Sequence, residues 1–62
     1  MTKTFEVEAV MQLDKGGIKR EKYLVSTTDD IHAIEIAKTM LWKSLGCPDG
    51  LLYIMYCREQ RD

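Results

Sequence analysis

Sixty-two residues with nine basic and ten acidic side chains, a net charge of −1, have room for one small domain and show no bias toward a polyanionic or polycationic partner. That balance excludes a strongly basic nucleic-acid binder and an acidic nucleic-acid mimic. Two cysteines and one histidine are too few for a disulfide framework or a structural zinc site.

The composition also sets a stability problem. A chain this short buries only about 60% of the surface its unfolded form exposes. Small domains compensate with disulfides, metals or self-association. With the first two disfavoured, self-association is the expected reinforcement, and no cofactor is called for. Cys47 and Cys57 are expected to be reduced thiols, although a bridge between them is not excluded by sequence. The longest apolar run, Leu51 to Cys57, is far shorter than the roughly 20 residues of a membrane span. The N-terminal residues lead straight into strand-like sequence without a signal-peptide core, so a cytoplasmic location is expected.

Thr4 to Leu13 alternates. Phe5, Val7, Ala9, Met11 and Leu13 fall on one face, and Glu6, Glu8 and Gln12 on the other, with Val10 the apolar exception. Period two with polar residues opposite predicts a half-buried strand. Asp14-Lys15-Gly16-Gly17 is a turn, and a second strand follows over about Ile18 to Thr27. Tyr23 and Val25 face the core, beside Ala9 and Val7, only if the loop has an odd number of residues. Lys15-Gly16-Gly17 satisfies this, with Gly17 left-handed, at the cost of turning Glu21 inward. A two-residue turn would bring Arg20 or Lys22 to the core face instead.

Thr27 or Thr28 is expected to cap a helix, with Asp29 and Asp30 in the first turn, where the helix dipole favours negative charge. The helix runs to about Leu45, stopped by Gly46 and Pro48. At 100° per residue, Ala33, Ile34, Ala37, Met40, Leu41 and Leu45 share the core face. Ile31, Lys38 and Trp42 lie on one flank and Ile36 on the other. Pro48-Asp49-Gly50 turns into a third strand, and Arg58 to Asp62 is expected to be a frayed polar tail.

The order is β-β-α-β. A right-handed crossover places the third strand beside the first, giving a mostly antiparallel three-stranded sheet of order 2-1-3 with one helix on one face, an α+β fold. The third strand is then the most informative element. It is apolar on both faces, and a two-layer protein covers only one. Strict alternation divides it into Leu52, Ile54 and Tyr56 on one side and Leu51, Tyr53, Met55 and Cys57 on the other, without indicating which side meets the helix. It is also an edge strand with no proline, bulge signal or lysine before Arg58.

These features predict a non-enzymatic protein-interaction module. Leu52, Tyr53, Ile54, Met55 and Tyr56, joined by Val10 and Leu24 on the open face, are the interface candidates. A homodimer is the expected assembly, together with a further intracellular protein partner. The alternative is RNA or DNA binding by the basic hairpin residues Lys15, Lys19, Arg20 and Lys22 with the sheet tyrosines. Glu8, Asp14 and Glu21 partly neutralise that hairpin. Trp42, with Ile31 and Lys38, makes either a helix-side binding spot or a peripheral core contact over the sheet edge. His32 reads as a surface residue, and Cys47, after a helix C-terminus, lacks the field that would favour a thiolate. No set of residues meets the geometric needs of catalysis, so no enzymatic activity is expected.

Overall fold

The computed structural model describes residues 1–61, in the order β1 (Lys3–Leu13), β2 (Ile18–Thr27), α1 (Asp30–Ser44) and β3 (Gly50–Glu59). The three strands form one sheet of order β2-β1-β3, with β1 antiparallel to both neighbours. This is the expected α+β architecture.

The hairpin closes one residue earlier than expected. Gly16 N–H donates to Leu13 O at 3.0 Å, and Leu13 N–H donates to Gly17 O at 3.0 Å. The loop is therefore Asp14-Lys15-Gly16, with Gly16 at φ 98° in the left-handed bulge position. Both loops hold three residues, so the faces are unchanged. The partners slide by two, setting Tyr23 opposite Val7 and Val25 opposite Phe5. Glu21 falls opposite Ala9 in the helix-side set. It stays exposed because β2 is the outer strand.

Asp29, rather than either threonine, caps α1. Its backbone is extended, and its carboxylate accepts from His32 N–H at 2.8 Å. A carboxylate offers the free amides of the first turn a full negative charge, which a hydroxyl does not. At the other end Leu45 N–H returns to Leu41 O and Trp42 O, and Gly46 adopts φ 82°. Ala33, Ala37 and Leu41 form the fully buried stripe of the helix. The two alanines, one turn apart, let the helix lie close over Phe5, Val7, Ala9 and Met11 of β1 and Val25 of β2. Met40, assigned to the core face, is exposed at the margin of that stripe.

β3 departs most from simple alternation. Val7 pairs with Cys57 and Glu8 with Tyr56, but Ala9 pairs with Ile54 and Val10 with Tyr53. Met55 is left without a partner on β1, which makes it a β-bulge. β3 also continues past Cys57 to Glu59, and Gln60 N–H donates to Thr4 O at 2.8 Å. The tail expected from Arg58 is thus pinned through Gln60. Asp62 lies outside the described residues.

Candidate functional site

The bulge settles which side chains of β3 are available. Before it, Leu52 and Ile54 share the helix face with Met11 and Ala9; after it, Cys57 shares that face with Val7. All three are half-buried and pack on the core. Leu51, Tyr53, Tyr56 and Arg58 therefore lie on the open face, opposite Gln12, Val10, Glu8 and Glu6. Neither alternating set read from the sequence survives, because the extra residue changes parity between Ile54 and Tyr56. Of the interface candidates, Leu52 and Ile54 thus turn to the helix side, half-buried against the core.

Val10 is also corrected. It is on the open face but only 3% exposed, flanked in register by the long side chains of Arg20 and Tyr53. Leu24 remains exposed on the β2 side of the same face. Leu51 is 67% exposed, Tyr53 41% and Met55 54%. These three lie along the edge of the sheet, where no further strand pairs with the outer backbone of β3.

The helix extends this margin. Trp42 Nε1–H donates to Pro48 O at 3.0 Å, just before β3 begins. Near the other end of α1, Cys57 Sγ lies 4.0 Å from Asp30 O. These two contacts tie the C-terminal end of the helix to the start of β3 and its N-terminal end to the end of β3. Trp42 is tied to the αβ loop rather than folded into the core over the sheet edge, and it and Ile31 remain 39% and 66% exposed.

The centre of the open face is electrostatically closed. Glu6 accepts from Tyr56 O–H at 2.5 Å and from Arg58 Nη2 at 3.1 Å. The Tyr56 hydrogen bond, chiefly, holds the Glu6 carboxyl below its usual range; desolvation opposes it, and the Arg58 charge adds a further lowering smaller than either. The same bond raises the Tyr56 phenol. Arg58 also lies over the Tyr56 ring, 5.4 Å from its centroid. Glu8 meets Arg20 at 3.9 Å and sits opposite Lys22.

The hairpin cations are not gathered into one surface. Arg20 and Lys22 are on the open face, Lys19 opposite Met11 on the helix face, and Lys15 in the loop. His32 is exposed, with Nδ1 2.8 Å from Asp29 Oδ1. Its backbone amide, first, and then its side chain hold the Asp29 carboxyl below the ordinary range. Burial, then the nearby Asp30 charge, push the Cys57 thiol up, so it stays protonated at neutral pH.

Cys47 and Cys57 are both free thiols. They flank opposite ends of a 15-residue helix, which spans about 22 Å at 1.5 Å per residue. A disulfide needs Cα atoms within about 7 Å, so the bridge left open by the sequence cannot form in this fold.

Two shallow clefts lie at the ends of the molecule. One of about 310 Å³ contains Lys3, Asp30, Cys57 and Glu59 in its lining, and one of about 400 Å³ lies between Lys15 and the Gly46–Asp49 loop. Among the described residues, no three His, Cys, Asp or Glu side chains group to hold a metal ion. No helix among them is long and apolar enough to cross a membrane. Comparison of the chain with family models, curated proteins and solved structures finds no match to any of them.

Proposed function

We propose that the protein is a non-enzymatic interaction module that binds other polypeptide through the β3 side of the molecule. One observation carries this reading. Leu51, Tyr53 and Met55 stay exposed beside an unpaired strand edge, and the one helix among the described residues is committed to the other face. Exposed apolar surface that flanks open backbone donors and acceptors suits strand addition by another chain.

The nucleic-acid reading has less support. Glu6 and Glu8 occupy the middle of the face that would meet phosphates, Arg20 is directed at Glu8, and the Tyr56 ring carries Arg58. A base would have to displace Arg58 to stack on Tyr56.

The test compares the two sides of the sheet. Leu51→Asp on β3 and Leu24→Asp on β2 are each scored for self-association by light scattering and for protein capture from cell extract. Loss in both readouts for Leu51→Asp, with Leu24→Asp retaining both, is the expected result. The opposite pattern would move the binding surface to β2, and unchanged binding in both would remove the sheet margin from the reading.

A further inference from the structure

We infer, as a refinement that rests on the interaction reading above, that the β3 edge binds the β3 edge of a second copy, antiparallel about a twofold axis beside Tyr53. The charge pattern of the strand points to this occupant. Gly50 to Cys57 carry no charge, whereas Asp49 precedes them and Arg58 follows them. In an antiparallel self-pair these opposite charges lie at opposite ends and meet across the join.

The faces agree with that register. Tyr53 meets Tyr53 at the axis on the open face, and Leu52 meets Ile54 of the second copy on the helix face. If Met55 is passed over as it is on the β1 side, Leu51 meets Tyr56 and Gly50 meets Cys57, each on a matching face. Asp49 then meets Arg58. The guanidinium already donates to Glu6 through Nη2, and its remaining donors leave room for a second carboxylate. The same axis brings Trp42, near the start of β3, toward Ile31 of the second copy, near the end of β3. Lys38 on this flank, with Glu35 beside it, limits how closely the two helices approach.

Pairing through β2 lacks this complementarity. Its half next to the hairpin turn is Lys19, Arg20, Glu21 and Lys22, and a twofold axis at any of these residues sets like charges directly opposite. A β3-to-β2 join is heterologous, leaves an edge free at each end and propagates into open chains.

The experiment combines cross-linking with mass. Tyr53→Cys is made in a Cys47→Ser, Cys57→Ala background and oxidised mildly. Directly opposed antiparallel residues have Cα atoms about 4.5–5.5 Å apart, within disulfide reach. A covalent dimer is expected for Tyr53→Cys and none for Leu24→Cys in the same background. In the natural chain, Asp49→Lys should weaken the dimer about tenfold at low salt, and the loss should shrink as salt is raised.

A chain that is monomeric at millimolar concentration overturns the second copy as occupant. The broader reading is then decided separately, by whether Leu51→Asp loses protein capture from extract. A dimer that fails to cross-link at residue 53, or that Asp49→Lys leaves unweakened at low salt, overturns the register.

Discussion

The two outer strands of this sheet face the same problem and meet it differently. β2 places Lys19, Arg20, Glu21 and Lys22 in succession, all exposed. Any strand approaching that edge must desolvate them, so charge alone blunts it. β3 has no charge from Gly50 to Cys57 and is interrupted only by the bulge at Met55. A bulge bends and twists an edge but leaves its side chains apolar. It limits how a partner can pair without making pairing unfavourable. The contrast shows which edge is closed by chemistry and which is only shaped by geometry.

The strongest way to test this contrast is to put the same charge on the two faces of β3. Ile54→Asp introduces a carboxylate among core side chains, costing about 4 kcal/mol or more. A chain of this length is expected to have a total stability of about 3–9 kcal/mol, so this variant should lose a large part of it, read as a sharply lower urea midpoint. Leu51→Asp, three residues earlier on the open face, should keep the natural midpoint and change only association. If both variants fold equally well, the assignment of Ile54 to the core side is wrong.

The starts of the two outer strands give a smaller difference. A Cβ on Gly50 would stand 2.2 Å from the Gln12 carbonyl oxygen, so β3 must move away from β1 to admit it. Gly50→Ala should cost about 2–3 kcal/mol, read as a lower urea midpoint. A Cβ on Gly17, before β2, meets nothing within 4 Å. Gly17→Ala therefore suffers only the strain of a φ of 97°, about 1–2 kcal/mol. Equal losses would show that β3 can shift freely against β1.

This difference between the strands also marks what the sequence could reveal. Alternation over Phe5 to Leu13 identified β1 and its core face, because one side chain in two is polar and only one register buries the rest. The helix stripe at Ala33, Ala37 and Leu41 was legible for the same reason, at its own period. Asp29 was misassigned because three consecutive residues can all cap, and the choice depends on where the chain leaves β2. The bulge was not legible at all. Leu51 to Cys57 are apolar at every position, so no polar residue marks the change of face at Met55. The faces of β3 depend on parity and so stayed open in the sequence, with Leu52 and Ile54 found turned inward, while the location of the candidate site on β3 did not depend on it. Val10 was misjudged differently, since its face was right but its cross-strand neighbours are long enough to cover it.

Deleting Met55 tests the bulge directly. The residues on either side already pair with adjacent positions, Ala9 with Ile54 and Glu8 with Tyr56. Removing Met55 preserves every pair and straightens the edge. The variant should match the natural chain in stability to within about 1 kcal/mol and associate more readily, because a flat edge pairs over a longer stretch. Deleting Tyr53 instead moves the residues before it by one and turns Leu52 outward. Equal damage from the two deletions would mean that Met55 is an ordinary member of the strand.

Acidification should give the smallest difference and favour neither edge until the helix is removed from the comparison. Asp29 and Glu6 both have depressed carboxyl pKa values, the first from the His32 amide and the second from Tyr56 and then Arg58. A carboxylate held low in the fold binds its proton less readily there than in the unfolded chain. Its contribution is therefore complete above the ordinary carboxylate range and is lost as pH falls through the folded-state value. Asp29 acts through the helix, which covers all three strands. Asp29→Asn retains a capping oxygen and removes that titration. In this background the remaining acid sensitivity from Glu6 acts between β1 and β3, through Tyr56 and Arg58. Amide exchange should therefore quicken in β3 before β2 as pH falls below the ordinary carboxylate range, once corrected for intrinsic rates. Adding Glu6→Gln should abolish the lag. If β2 and β3 open together in both variants, Glu6 does not distinguish the two edges and their difference lies in side-chain polarity alone.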